Sequence, residues 1–451
     1  MTAALGVGIW FRLAARRNPA LLAALAYTVY ALLGAVALML PVMREQSRTE
    51  SVGFIDALFL STSAVSTTGL VTLDPGSTFN FGGELILLLL IQIGGLGYMT
   101  FMSMAYIMLR AQLSPTQSRL TRSGFGLPEN FRMTSFVRQV VIATLMIEAV
   151  GALVLMYQFE QAGTAGALWN GIFHSVSAFC TAGFALFPTS FEAYKDNGPM
   201  LIVLSVLSYC GAFGFVVIAE CLEALVIRPR RLSITTRITV WLSAWLLAAG
   251  TAIVWIFEPA IRALPVAQQF PNALFQVMAA STTVGFNSLP IGALSSASIL
   301  VLYLLMFIGA SPAGTGGGLK STTAATLAAT MISSIKGRDA VSLGGYLLPQ
   351  QRVIQAAGTL VIALVVILAA VTLLDLTGSY AFDKALFEVI SALATVGLSM
   401  GVTGELNDAG KLIVTAVMLI GRVGILTFFV SFALVTRQED LEIRKTRDII
   451  L

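Results

Sequence analysis

Apolar runs long enough to cross a bilayer alternate along this chain with shorter amphipathic runs, always in the same order. A crossing helix needs about 20 mostly apolar residues. Residues 21–42, 84–109, 137–157, 200–226, 238–257, 298–335, 353–374 and 412–436 satisfy that pattern and predict about eight crossings. Inside each successive pair lies a segment too short to cross, at 54–65, 168–179, 272–281 and 384–393. The predicted order is therefore span, short helix, span, four times over. These units occupy 20–115, 134–230, 234–338 and 350–436, flanked by tails at 1–19 and 437–451.

The short segments share more than their length. Each ends in Thr-x-Gly followed by Leu or Phe: Thr67-Thr68-Gly69-Leu70, Thr181-Ala182-Gly183-Phe184, Thr283-Val284-Gly285-Phe286 and Thr395-Val396-Gly397-Leu398. A phenylalanine precedes each glycine by the same step, at Phe59, Phe173, Phe275 and Phe387. Six residues before each glycine stands Ser63, Ser177, Ala279 or Ser391. Four copies in register are an internal repeat. A short helix followed by extended backbone at membrane depth is tolerated only where protein or a water-filled cavity satisfies it, so the segments are expected to re-enter the membrane. The alternative, a short helix in an ordinary external loop, gives no reason for the repeated spacing.

Composition agrees with a polytopic membrane protein: 57% of residues are apolar, 11% are charged and the mean hydropathy is +0.86. The first apolar run is too long for a signal-peptide core and opens a repeated unit. Basic residues mark one side. Arg12, Arg16, Arg17, Arg110, Arg119, Arg122, Arg132, Arg138, Arg228, Arg230, Arg231, Arg237, Lys336, Arg338, Arg352, Arg437, Arg444, Lys445 and Arg447 fall on alternate connections and the tails. The other connections hold only Arg44, Arg48, Lys195, Arg262, Lys384 and Lys411. By the positive-inside rule both termini are expected in the cytoplasm. Charge spread over short helix ends excludes a nucleic-acid-binding surface. Cys180, Cys210 and Cys221 have neither disulfide-framework nor metal-ligand spacing, and the single His174 builds no metal cluster.

Backbone repeated four times inside an apolar chain points to carbonyls arranged around an ion. Stripping a monovalent cation of water requires oxygens to replace its hydration shell, and rings of backbone carbonyls supply them. Glycine adopts cheaply the dihedrals that aim consecutive carbonyls inward. The expected selectivity filter is therefore Thr67, Thr68, Gly69, Thr181, Ala182, Gly183, Thr283, Val284, Gly285, Thr395, Val396 and Gly397, with the threonine hydroxyls adding oxygens or bracing the loops. The short helices aim their partial negative ends at the same place.

The second span of the third unit is interrupted by Gly309, Pro312, Gly314, Gly316, Gly317 and Gly318. Each glycine costs a helix interior about 1 kcal/mol and proline about 3 kcal/mol, so the helix is expected to break there. A kink that only improves packing is the alternative. Three ionisable residues look embedded, Glu148, Lys320 and Arg422, and charges at that depth are functional candidates by default. Glu148 is read as structural pairing with a neighbouring helix and His174 as a satisfied core histidine. Gly94, Gly95, Gly97, Gly211 and Gly214 are read as close helix contacts.

Together with Gln92-Ile93-Gly94-Gly95-Leu96-Gly97, Gly309-Ala310-Ser311-Pro312, Gly316-Gly317-Gly318-Leu319-Lys320 and Gly421-Arg422-Val423-Gly424, these repeats resemble the Trk/Ktr/HKT superfamily of potassium transporters, and most closely its Ktr-type membrane subunit. The resemblance covers nearly all of the chain. It implies an all-α polytopic membrane protein with four M1–P-loop–M2 repeats in pseudo-fourfold arrangement around one pore. An intramembrane enzyme is a further alternative, but the chain offers no plausible dyad, metal cluster or activated nucleophile, so no catalytic residue is expected. With no Gly-x-Gly-x-x-Gly after a strand, no cofactor is expected in this chain; potassium at the filter is the only metal ion expected, with sodium activation left open. The resemblance makes Gly309, Ala310, Ser311, Pro312, Ala313, Gly314, Thr315, Gly316, Gly317 and Gly318 an intramembrane gate loop, with Lys320 beside it and Arg422 against it. It further implies a homodimer in the cell inner membrane, in contact with lipids and working with cytoplasmic regulatory subunits that bind the nucleotide. Leu or Phe after each filter glycine, where tetrameric potassium channels have Tyr-Gly, implies a shorter filter with looser discrimination against sodium. A coupled secondary transporter also uses repeats and broken helices, but such repeats are often inverted and these share one orientation.

Overall fold

The computed structural model describes residues 19–45, 51–108, 133–224, 232–312, 314–426 and 428–429. The basic residues expected in the two tails and in 109–132 and 225–231, together with Arg48 and Ala313, lie outside the described residues.

The chain folds as helices arranged in four successive units. The first holds α1 (Pro19–Met39), α2 (Phe54–Val65) and α3 (Phe81–Met108); the second holds α4 (Met133–Gln161), α5 (Ala167–Phe179) and α6 (Gly198–Leu222). The third holds α7 (Ile234–Phe257), α8 (Val266–Ser281), α9 (Ser296–Phe307) and α10 (Ser321–Ile335); the fourth holds α11 (Gln350–Thr377), α12 (Phe382–Leu393) and α13 (Asp408–Val423). A two-stranded hairpin, β1 (Ser342–Leu343) and β2 (Tyr346–Leu347), turns through Gly344 and Gly345, both at positive φ, between α10 and α11. Among the described residues, four helical stretches are by themselves long and apolar enough to cross a membrane: Arg138–Gln161, Gly198–Phe215, Ile234–Phe257 and Gln350–Thr377.

Local signals explain where the second helix of each unit begins. Asn80 accepts from the Gly82 N–H at 2.9 Å, Asn197 from Met200 at 3.1 Å, Ser295 from Ser298 at 3.4 Å and Asn407 from Gly410 at 2.8 Å. Such side chains satisfy donors that a helix N-terminus leaves without partners. The short helix α8 begins at Val266, six residues earlier than the sequence suggests, and carries Pro271 within it.

The units interlock in a cycle. Phe173 and Phe184 of unit two lie in the core of unit one, Phe275 and Phe286 of unit three in that of unit two, and Phe387 and Leu398 of unit four in that of unit three. Phe59 and Leu70 of unit one complete the circuit inside the core of unit four. All six phenylalanines are fully buried. Burial of each contributes about 1.5–3 kcal/mol, which makes every unit a wedge in the preceding one. The second helix of each unit packs against the short helix of the next, and α13 against α2 closes the series. An ion pair between Lys411 and Asp56 at 2.8 Å ties the same seam.

The second helices break more widely than the sequence suggests. Besides the expected interruption between α9 and α10, α3 breaks at Gly97 (φ 72°) and α6 at Gly214 (φ 74°), while α13 ends at Gly424 (φ 95°). Reading Gly97 and Gly214 as contact glycines was therefore incomplete, because a left-handed turn is what these positions require.

Candidate functional site

Each short helix ends in the same local structure. After α2, Thr67 N–H bonds the Ala64 carbonyl at 3.1 Å and Thr68 N–H bonds the Ser63 carbonyl at 2.8 Å. The paired bonds recur from Thr181 and Ala182, from Thr283 and Val284, and from Thr395 and Val396. This is the Schellman closure, whose left-handed residue is usually glycine. Here it is Thr67, Thr181, Thr283 and Thr395, with φ of 51°, 51°, 60° and 48°. A β-branched residue in that region is a genuine outlier, at about 1–2 kcal/mol each. The sequence pattern predicts unusual dihedrals on the glycines alone; the structure places them on the threonines as well. Sequence offered only the recurrence of threonine as a signal, since its type argues against a left-handed backbone.

All four threonines are fully buried, and their hydroxyls face different partners. Thr181 Oγ1 donates to the Cys180 carbonyl at 2.7 Å and lies 3.1 Å from Thr315 Oγ1. Thr283 Oγ1 accepts from Gly317 N–H at 2.9 Å. The hydroxyls of Thr67 and Thr395 have no hydrogen-bond partner among the described residues. Orphaned buried oxygens are costly, so Thr67 and Thr395 carry a polarity that a packing role does not require.

The glycines that follow also have positive φ, from 70° to 96°. Around them the loops make a closed circuit. A β-carbon on Gly69 would sit 2.6 Å from the Ala182 carbonyl oxygen; on Gly183, 2.1 Å from that of Val284; on Gly285, 2.0 Å from that of Val396; on Gly397, 2.1 Å from that of Thr68. Each expected filter loop thus abuts the carbonyl of the next, and the fourth abuts the first. No side chain fits between them. The structure brings together all twelve residues expected in the filter.

The interrupted segment between α9 and α10 is a cinched loop. Gly309 N–H bonds Leu319 O at 2.9 Å, Leu319 N–H bonds Phe307 O at 3.1 Å and Ala310 N–H bonds Gly317 O at 3.2 Å. From this neck the loop reaches under three of the four threonine turns. Ser311 N–H bonds Ala212 O at 3.2 Å and Thr315 N–H bonds Gly211 O at 3.0 Å. Thr315 Oγ1 bonds the Phe179 carbonyl at 3.1 Å. Gly316 packs against Thr283, and Gly317 so close to Thr395 that a β-carbon would meet its hydroxyl at 2.1 Å. Gly314 lies against the Ala212 backbone and Gly318 against Gly309; Pro312 is in the turn of the loop.

The breaks in the neighbouring helices explain what anchors this loop. A helix that breaks strips the preceding carbonyls of their intrahelical donors. Near the Gly214 break, Gly211 and Ala212 bond the loop instead. Near the Gly97 break, Gly94 O accepts from Arg422 Nη2. Arg422 Nη1 donates to Thr315 O at 2.6 Å, so one guanidinium joins units one and four to the loop. Lys320 Nζ donates to Gly316 O at 2.6 Å. Both cations expected near the loop thus sit on its carbonyls. An apolar cavity of about 360 Å³ flanks the loop at Gly314 and Thr315.

The other embedded groups are braced. Both carboxylate oxygens of Glu148 accept from Gln92 Nε2 at 3.1 Å, and Cys180 Sγ lies 3.7 Å away, so its partners are an amide and a thiol on neighbouring elements. His174 bonds the Asn170 carbonyl through Nδ1 at 2.8 Å and accepts Leu186 N–H on Nε2 at 3.1 Å. Outside the spans, burial alone raises the pKa of Glu258, but bonds from Ser298, Ser295 and the Ala260 N–H outweigh it and bring the carboxyl below its ordinary value. Burial holds the Glu192 carboxyl above its ordinary value, with Asn287 Nδ2 donating to it at 2.7 Å.

Comparison with known proteins bears on this arrangement. The family model described as TrkH, cation transport protein, matches residues 28–443. The chain is 34% identical over 422 residues to Ktr system potassium uptake protein B of Vibrio alginolyticus, covering 92% of this chain and 91% of that protein. Against Ktr system potassium uptake protein B of Bacillus subtilis (strain 168) it is 32% identical, covering 93% of this chain and 94% of that protein. Against the potassium/sodium uptake protein NtpJ of Enterococcus hirae it is 31% identical, covering 96% of each. The crystal structure of the potassium transporter TrkH from Vibrio parahaemolyticus is similar in fold, with a TM-score of 0.74 at 20% identity, covering 94% of this chain and 85% of that one.

Proposed function

The chain belongs to the TrkH family of cation transport proteins, and from that premise we propose that it is the pore-forming subunit of a potassium uptake system. The observation that carries this reading is the circuit in which Gly69, Gly183, Gly285 and Gly397 each meet the carbonyl of the next loop. Carbonyls so arranged replace the hydration shell of a monovalent cation. The residues that would coordinate potassium are the Thr-x-Gly triplets at 67–69, 181–183, 283–285 and 395–397.

Conduction is blocked by the 309–318 loop, clamped by Arg422 and Lys320, and opens when the loop withdraws towards the flanking cavity. Opening is driven by cytoplasmic regulatory subunits that bind the nucleotide, around a homodimer of this chain in the cell inner membrane. Both termini face the cytoplasm. The Ktr-system names of the relatives support a multi-component assembly.

The test is uptake in cells unable to accumulate potassium, with the full chain expressed alone and with a Ktr-type regulatory subunit. Growth at low potassium and uptake of rubidium tracer are the expected results. Well-inserted protein that moves no potassium in either case would overturn the proposal.

A further inference from the structure

Nine residues before the glycine of each Thr-x-Gly triplet, the short helices carry Leu60, His174, Gln276 and Glu388. The position is buried in all four. In three units its side chain is polar and crosses to the chain segment that follows the triplet. His174 Nε2 accepts from Leu186 N–H at 3.1 Å. Gln276 Nε2 donates to Leu289 O at 3.0 Å. Glu388 accepts from Ser399 Oγ at 2.8 Å and from the Thr403 hydroxyl.

Each of these bonds joins the middle of a short helix to the limb that leaves the filter. In units two and three the bonded limb residues lie outside helix and strand, and in unit four Thr403 opens a short 3-10 turn. These side chains therefore add polar anchors to a limb otherwise held by the buried Phe184, Phe286 and Leu398. Glu388 is the extreme case. It is fully buried, no salt bridge among the described residues includes it, and its charge is met only by hydroxyls. A buried carboxylate without a cation is costly; an apolar residue is accepted at this register, as Leu60 demonstrates.

We propose that His174, Gln276 and Glu388 are positioning residues of the filter, which set its ion affinity and its preference for potassium over sodium by clasping the outgoing limb of each loop. The inference rests on the reading of the Thr-x-Gly loops as the filter. Unit one lacks the clasp and relies on Ser63, whose Oγ accepts from Gly69 N–H at 3.0 Å. The four quarters of the ring are therefore held unequally, and unit four most firmly, since Ser391 Oγ also accepts from Gly397 N–H at 3.0 Å.

The experiment measures potassium flux and sodium competition in liposomes holding the full chain. Glu388→Ala removes the clasp, and the half-saturating potassium concentration should rise about tenfold, as expected for lost bonds to a buried charged group. Sodium competition should strengthen, with maximal flux changed far less. Glu388→Gln keeps the shape and can bond both hydroxyls, so it should restore most of the affinity. Gln276→Leu copies the apolar arrangement of unit one, which the fold already tolerates, and should shift affinity in the same direction even where Glu388→Ala fails to insert. Unchanged affinity and competition in these variants would overturn the inference while leaving the filter reading intact. Equal loss of maximal flux in Glu388→Ala and Glu388→Gln, at wild-type affinity, would also overturn it by showing a role in folding alone. Wild-type protein that moved no potassium would overturn the filter reading and this inference with it.

Discussion

Replacing Gly285 by serine tests the ring at its tightest seam. A β-carbon there would lie 2.0 Å from the Val396 carbonyl oxygen and 3.0 Å from the Gly397 α-carbon. Non-bonded heavy atoms are comfortable at about 3.5 Å, so the Val396 carbonyl must move by about 1 Å or more. It cannot do so without rotating one of the proposed coordinating oxygens. The residue must also hold φ at 78°, which a non-glycine residue does at about 1–2 kcal/mol. If a comparable energy appears as a difference between potassium and sodium at the filter, the preference falls about tenfold, since about 1.4 kcal/mol is a factor of ten. The assay is tracer flux in liposomes under opposed potassium and sodium gradients, with size-exclusion behaviour confirming the fold. Gly69→Ser supplies the internal control. Its β-carbon would lie 2.6 Å from Ala182 O and 3.2 Å from the Gly183 α-carbon, so it should do less harm. Unchanged ion preference in Gly285→Ser, or greater harm from Gly69→Ser, would refute the reasoning.

Two further outcomes follow from named contacts. Arg422→Met removes donors to Thr315 O and Gly94 O; such bonds contribute about 1.5–3 kcal/mol each, so the loop should loosen and flux should rise about tenfold or more, whereas reduced flux from folded protein would argue against a gate. Glu258 has its folded pKa lowered, so its contribution to stability is present above the unfolded carboxylate pKa of about 4.3 and is lost as pH falls through the folded value; thermal unfolding followed from pH 7 downwards should show an acid-labile component that is absent from Glu258→Gln.

What the sequence disclosed, it disclosed through periodicity. The short helices are found at Phe54–Val65 and Ala167–Phe179, within a residue of the predicted 54–65 and 168–179, because each amphipathic run stops at its own Thr-x-Gly. The helix α8 begins at Val266, ahead of the expected 272, and accommodates Pro271 in its interior. The left-handed threonines were hidden, since local preference predicts the opposite and only tertiary closure of four loops overrides it. The circular order of the units was hidden too. The insertion of Phe59 into the core of unit four joins residues more than three hundred positions apart, and no local pattern encodes it. The bonds from His174, Gln276 and Glu388 to the limb beyond each triplet were hidden as well, since the register they share with Leu60 is visible but three unlike polar side chains do not announce a shared task.

The places where the repeats disagree are more telling than those where they match. Aligned on their second helices, Gly94-Gly95-Leu96-Gly97, Gly211-Ala212-Phe213-Gly214 and Gly421-Arg422-Val423-Gly424 each end on a left-handed glycine, whereas Gly309-Ala310-Ser311-Pro312 ends on proline. Proline is locked near φ −65° and has no N–H. The third helix already ends at Phe307, and with proline at the fourth position the chain cannot make the left-handed turn its counterparts make, so it continues as a loop until Ser321 starts the next helix. The carbonyls exposed by the breaks at Gly97 and Gly214 then become its moorings, at Gly94 through Arg422 and at Gly211 and Ala212 directly. The departure from the repeat thus coincides with the unit whose second helix opens into a long loop, and the breaks in the other units supply that loop's attachments. On this argument, Pro312→Gly gives the third helix back the residue its counterparts use. It should weaken the loop's hold beneath the filter and raise flux, while Pro312→Ala, which frees φ but still disfavours the left-handed turn, should do so far less.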